Sequence, residues 1–346
     1  MKAVVYTHTG PADVLELVDR DIPEPGTGEV RVRVVVSGVN PTDWKSRAGS
    51  GTPEELPEAR VPNQDGAGVV DAVGESVTGY AVGQRVWVWD AEFERPNGTA
   101  QQFVVLPELQ VVPLPDSASF DVGASLGIPA LTAHRALTSS ETGPAILAPR
   151  ALAGQTVLIT GGAGAVSHAA IQLARWAGAT VITTVSSDEK AELARRAGAD
   201  HIINYRQEDV ADAVLRIAAS GVQTIVEVNA TENLPVAVAV AAPNATIAIY
   251  TSDDNPTVPV PVRASMAKNL RFQFILTYTT TAEQKANAVA AVVHAVDDGA
   301  LGVGTETGLP LTRFPLERTA DAHRAVEAST IGKVLIDVAP DGVETP

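Results

Sequence analysis

The rhythm of hydrophobic and polar positions changes near residue 152. Before about residue 125 the apolar residues form short runs broken by glycine and proline, at 2–6, 29–36, 67–73, 85–89 and 101–105. That spacing predicts an all-β, barrel-like domain. Within it, Arg31-Val32-Arg33-Val34 alternates polar and apolar, so one face of this strand meets solvent and the other a core. Beyond Leu152, apolar strands at 156–160, 180–185, 201–203, 224–228, 246–250 and 271–276 alternate with amphipathic helices at 166–176, 188–197, 210–219 and 233–242. Strand and helix in alternation predict βαβ units around a parallel sheet, and six such strands a doubly wound, nucleotide-binding one. Helices at 282–296 and 319–328 and a strand at 334–338 complete the chain; they are too few for a third domain. The expectation is an α/β protein with a first domain at 1–125, a nucleotide-binding domain at 126–276, and a C-terminal segment at 277–346 that is expected to return to the first, although the pattern itself does not show which domain it joins.

Composition narrows the function classes. A chain of 346 residues exceeds one hydrophobic core, which fits two domains and a cleft. The balance of 25 basic against 41 acidic residues, a formal charge of -16, argues against a nucleic-acid partner, which needs a basic footprint. There is no cysteine, so disulfides, thiolate nucleophiles and cysteine-held metals are excluded. The six histidines are dispersed and predict no metal site. The first residues turn polar at Thr7 and no apolar stretch has the length of a membrane span, so a soluble cytoplasmic protein is expected.

The most informative motif is an apolar strand, Thr156-Val157-Leu158-Ile159-Thr160, running into Gly161-Gly162-Ala163-Gly164-Ala165-Val166 at the start of a helix. Free amides and the positive helix end would meet a pyrophosphate there, and small residues let it approach. The third glycine of the usual dinucleotide fingerprint falls on Ser167, a departure that leaves room for a plain strand-turn-helix. At the end of the second strand, where an acid usually selects NAD, the chain reads Ser186-Ser187-Asp188-Glu189-Lys190. Ser186, Ser187 and Lys190 could hold a 2'-phosphate, which predicts NADPH; the same residues also make a helix-capping box and a solvated lysine.

With those segments in view, the chain resembles the medium-chain dehydrogenase/reductase superfamily, and within it the zinc-free quinone reductase branch. The resemblance spans nearly the whole length. It rests on Gly38-Val39-Asn40-Pro41-Thr42-Asp43-Trp44-Lys45, Asp65-Gly66-Ala67-Gly68-Val69-Val70, Val73-Gly74 with Gly83-Gln84-Arg85-Val86, Leu131-Thr132-Ala133, Gly198-Ala199-Asp200 with Asn204-Tyr205, and Gly332-Lys333-Val334, in addition to the nucleotide segment. It implies a GroES-like, partly barrel-shaped catalytic domain joined to a Rossmann domain, with nicotinamide held in the cleft. Zinc-containing relatives carry cysteine and histidine at the positions of Asn40 and Gln64, so no metal is expected.

The resemblance also implies site residues. Asn40 matches an asparagine lining the nicotinamide and substrate pocket, and its amide can donate to an oxyanion, aided by Gln64 or Lys45. Asn40-Pro41 is equally the composition of a simple turn. Some quinone reductases have tyrosine at Lys45. Thr132, Tyr205, Tyr250, Phe274, Leu276 and Lys333 match cofactor-contact regions, although Tyr250 and Thr251 replace a glycine-rich stretch. The implied activity is hydride transfer from NADPH to a small quinone or other conjugated carbonyl. The alternatives are an enoyl or enone reductase and, supported by Ser167, a non-catalytic NADPH-binding protein. Relatives form dimers or tetramers, and the strand 271–276 offers an edge for that contact.

Overall fold

A computed structural model describes residues 1–251 and 257–339. The chain divides into two compact units, Met1–Ile128 with the segment from Pro310 onward, and Pro129–Leu309. In the first unit, strands run in the order Leu311–Pro315, Lys333–Asp337, Glu29–Val39, Asp65–Val73, Arg85–Val88, Val111–Pro113, and Phe103–Pro107 also pairs with Glu29–Val39. A second, three-stranded sheet joins Glu16–Asp19, Lys2–His8 and Glu55–Arg60. The strand Glu29–Val39 is the hub. Its alternating pattern buries Val30, Val32 and Val34 completely, against Val70, Val86, Val104 and Leu106, while Arg31 and Arg33 stay partly exposed.

Register along this strand sets up the chemistry described below. Gly38 lies opposite Asp65 on one neighbour, and Val39 opposite Val334 on the other. The next residue, Asn40, therefore emerges between the starts of both neighbouring strands. A helix, Pro41–Ala48, begins immediately after it. The Asn-Pro pair that reads as a turn is here an N-cap followed by the one position where proline's fixed φ and missing N–H suit a helix.

In the second unit, six parallel strands lie in the order His201–Asn204, Thr180–Val185, Thr156–Ile159, Val222–Glu227, Ala241–Ile249, Arg271–Phe274. Numbered by sequence this is 3-2-1-4-5-6, a doubly wound sheet whose direction of winding reverses between Thr156–Ile159 and Val222–Glu227. The helices expected from periodicity fall at Ala165–Trp176, Asp188–Arg196, Val210–Ile217 and Ala230–Val240. Several are capped as their sequences require: Ser187 accepts from the Lys190 amide, Asp209 from the Asp212 amide, and Thr281 forms a capping box with Gln284.

One boundary differs from the expectation. The helix Ala282–Asp297 and the residues up to Leu309 lie in the second unit rather than in the return. Side chains of Ala165–Trp176 hold that segment: Trp176 Nε1 donates to Asp298 at 2.8 Å, Gln172 and Gly302 exchange two hydrogen bonds, and His168 Nε2 meets the Thr307 carbonyl at 2.8 Å. Among the described residues, Leu311–Pro315, the short 3-10 helix Leu316–Arg318, the helix Thr319–Glu327 and Lys333–Asp337 return to the first unit. Among the described residues no helix is long and apolar enough to cross a membrane.

The packing around the hub strand is tight enough to test. A Cβ on Gly38 would lie 2.0 Å from the Ala124 carbonyl oxygen and 3.2 Å from Lys333 Cε. Backbone cannot rotate away, so Gly38→Ala should destabilise the protein by about 1–3 kcal/mol or more. A urea midpoint unchanged by this substitution would refute the register.

Candidate functional site

The glycine turn has the geometry of an anion cradle. Gly161 takes φ +68°, and a Cβ on Gly162 would sit 2.3 Å from Thr183 Oγ1. The turn is tied to the neighbouring strand by Gly162 N–H donating to the Thr184 carbonyl at 3.0 Å. Gly164 is the N-cap of the helix Ala165–Trp176 and no side chain caps it. The first amides of that helix, from Ala165 onward, have no intrahelical acceptor and point with the helix dipole toward an incoming anion. Ala163 and Val166 bring no polar bulk. These residues fit a dinucleotide pyrophosphate.

Ser167, at the position of the missing glycine, is fully buried. Its hydroxyl donates to the Thr160 carbonyl at 2.8 Å and lies 3.2 Å from the Tyr250 hydroxyl. The extra side chain is thus converted into a tie between helix and strand end, and Tyr250, which replaces a glycine-rich stretch, is the residue that completes it. A further member of this network was missed in the sequence. Glu227, buried at the end of Val222–Glu227, accepts from the Asn229 amide at 2.6 Å, Asn233 Nδ2 at 2.8 Å and Thr160 Oγ1 at 3.2 Å, and burial raises its carboxyl pKa. Its only signal was one acid at the tip of an apolar strand.

At the other side of the sheet, Ser186 and Ser187 end Thr180–Val185, and Tyr205 ends the adjacent His201–Asn204, where Val185 pairs with Asn204. Lys190 is half-buried one turn into its helix, and Tyr205 is 51% exposed. Ser187's oxygen is used as the helix cap, yet its proton stays available. Thr132, in the helix Gly127–Leu137, shares a 2.5 Å hydrogen bond with Thr277. Phe274 and Leu276 are largely exposed.

The first unit gathers Asn40, Asp43, Gln64, Asp65, Glu92 and Lys333 into one buried cluster. Asp43 Oδ2 accepts from the Asn40 backbone N–H at 2.6 Å, which caps the helix and leaves the Asn40 side chain free to turn elsewhere. That side chain donates from Nδ2 to Asp65 Oδ2 at 2.7 Å and accepts at Oδ1 from Lys333 Nζ at 2.6 Å. Lys333 was expected at the cofactor; its ammonium is buried beside Asn40, with Asp65 3.8 Å away. Gln64, expected to donate to substrate, has its amide engaged by Glu92: Oε1 accepts from the Glu92 backbone at 3.0 Å and Nε2 donates to Oε2 at 3.4 Å. Lys45 points away from this cluster, exposed and stacked over Trp44 at 5.9 Å. Burial raises Asp65 to about 6 and Glu92 to about 7, while burial and the Asp65 charge push Asp43 well above the usual carboxylate range. Burial lowers Lys333.

This donor set does not fit zinc. The chain has no cysteine, the two amides are hydrogen-bonded, and Asp65 is committed to Asn40 and to the Ile128 amide at 3.0 and 3.1 Å. Among the described residues no three histidines, cysteines or acids are grouped to hold a metal ion.

Residues 26–116 match the alcohol dehydrogenase GroES-like domain and residues 165–293 the zinc-binding dehydrogenase domain. The chain belongs to the medium-chain dehydrogenase/reductase superfamily, in its quinone reductase branch, and is an oxidoreductase. It is 29% identical to the quinone oxidoreductase of Rattus norvegicus over 97% of both chains. A crystal structure of an NAD-dependent alcohol dehydrogenase superposes with a TM-score of 0.83 at 30% identity, covering 98% of this chain and 100% of the other. A mycobacterial protein solved in complex with NADPH gives 0.79 at 31% identity, covering 97% and 99%.

The raised carboxyls imply a pH dependence of stability. Glu92 holds its proton to about 7 in the folded protein against 4.5 unperturbed, so between those values the native state binds protons that the unfolded chain has released. Unfolding free energy therefore falls as pH rises through that window. Glu92→Gln should flatten the fall by on the order of 1–3 kcal/mol between pH 4.5 and 7.5. Urea titrations at both ends of the window measure it, and equal slopes for the two proteins would rule out the buried acid.

Proposed function

We propose that this protein is an NADPH-dependent, zinc-independent reductase of quinones or other small conjugated carbonyl compounds. The observation that carries the reading is the cluster at the end of the hub strand, where the Asn40 amide, at a position that the family resemblance gives to a zinc-binding cysteine, is hydrogen-bonded to a carboxyl and an ammonium. Alcohol oxidation needs a group that removes or stabilises the hydroxyl proton, which zinc supplies. A conjugated acceptor needs less: negative charge collects on an oxygen and requires only a preorganised donor.

Bound NADPH would supply the hydride from C4 of its nicotinamide. The uncapped helix end at Ala165 and the turn at Gly161 and Gly162 would hold its pyrophosphate. Ser186, Ser187 and Lys190 would receive the 2'-phosphate, and Tyr205 would pack beside the adenine. Asn40 Nδ2 would donate to the acceptor's oxygen. One proton from water then completes the hydroquinone or saturated ketone, so no side chain has to act as acid.

Purified metal-free protein should oxidise NADPH with quinones, and NADH more slowly. Lys190→Ala should raise KM for NADPH roughly tenfold, the value of one charge-assisted hydrogen bond, and leave KM for NADH unchanged. Turnover of enones in place of quinones would shift the assignment to alkene reduction. Tight NADPH binding with no turnover of either class would sink the catalytic reading.

A further inference from the structure

We propose that Asp65 and Lys333 are positioning residues that lock the Asn40 side chain in one of its two amide orientations, so that a single, fixed N–H is offered to the oxygen of the acceptor. The inference rests on the reading of Asn40 as the donor to that oxygen. An asparagine amide presents nearly the same shape after a half-turn that exchanges oxygen and nitrogen, and a pocket built on it loses its donor whenever it flips. Here the flip is blocked by charge. Lys333 Nζ has only donors and faces Oδ1 at 2.6 Å, while Asp65 Oδ2 faces Nδ2 at 2.7 Å. Turning the amide over would set its oxygen against a carboxylate and its NH2 against an ammonium, both in a buried setting where such contacts are costly.

Each arm of this clamp is itself fixed. Asp65 is held by the Ile128 amide, and Gly127 leaves space for it: a Cβ there would lie 2.1 Å from Oδ1. Gly38 does the same for Lys333, whose Cε would be 3.2 Å from an added Cβ. The Asn40 backbone is anchored by Asp43, and Pro41 follows with its rigid φ. Of the two Nδ2 protons one goes to Asp65; the other has no acceptor among the described residues. That is the proton assigned to the acceptor's oxygen.

The test uses the full chain with selective 15N-asparagine labelling, with Asn40→Asp assigning the Asn40 side-chain signals, alongside Lys333→Met, Asp65→Asn and the double variant. Wild-type protein should show two well-separated Asn40 amide protons that exchange slowly with water, and both single variants should lose that signature. Each should lower kcat with a quinone by about tenfold or more while Kd for NADPH stays within about twofold. In the double variant, which removes both buried charges, thermal stability should return toward wild type while kcat stays low. An Asn40 signature untouched by either single variant overturns the clamp. So does a double variant that recovers kcat together with stability, because the pair would then be structural only. A wild-type protein with the clamp signature, lost as expected in the variants, but without turnover upholds the clamp and sinks the reductase reading instead.

Discussion

Everything at the reactive end of the first unit depends on burying an ammonium beside carboxyl groups at the end of one strand. A lone charge there would be driven toward its neutral form or would unfold its surroundings; pairing makes the burial tolerable. Lys333 reaches Asn40 across 293 positions of sequence, so the pairing can form only when the C-terminal return has closed against the hub strand. The strand register delivers both partners to the same step, with Asp65 opposite Gly38 and Val334 opposite Val39. Fold closure and site assembly are therefore one event. The absence of side chains at Gly38 and Gly127 belongs to the same constraint, since each makes room for a charged neighbour.

The second unit solves a different problem, the recognition of phosphate by a protein with a large negative charge. What it offers for this is local, backbone amides at an uncapped helix end rather than a basic surface. The substitution of Ser167 for glycine tests how much of that arrangement is negotiable. Closeness of helix to strand is kept because the added hydroxyl finds the Thr160 carbonyl, and because Tyr250 reaches it from the fifth strand. Glu227 then braces Thr160 and the following turn from the neighbouring strand. A glycine needs none of this; a serine needs all of it.

How legible this was from sequence depended on whether the signal was local. The inner strands of the second unit, Thr156–Ile159, Thr180–Val185, Val222–Glu227 and Ala241–Ile249, announced themselves because they are apolar and largely buried, while the partly exposed edge strands His201–Asn204 and Arg271–Phe274 were legible from their place in the strand-helix alternation. By contrast, Glu55–Arg60, Glu16–Asp19 and Leu311–Pro315 escaped because they lie at sheet edges and carry polar, partly exposed side chains. The helix after Asn40 escaped because its first two residues also spell a turn. Ala282–Asp297 was visible as a helix, yet its unit was not, since that was decided by His168, Gln172 and Trp176 on a distant helix. Resemblance pointed at Asn40, Gln64 and Lys333 separately. No local pattern says that Lys333 and Asp65 both terminate on Asn40, for that pairing exists only in the closed sheet.

Asn40 and Gln64, at the positions that the family resemblance gives to metal ligands, show why a shared location does not imply a shared role. Gln64 gives both ends of its amide to Glu92, one to the backbone and one at 3.4 Å to a carboxyl that titrates at about 7. Its Nε2 is thus engaged by that carboxyl rather than offered to a substrate. Asn40 is held by two groups of opposite charge through shorter contacts, and keeps one proton uncommitted. A donor must be held rigidly and still be unsatisfied to stabilise a developing charge without reorganising. By that criterion the proposed reaction would draw its donor from Asn40, and Gln64 with Glu92 and Tyr6 forms polar packing beside it.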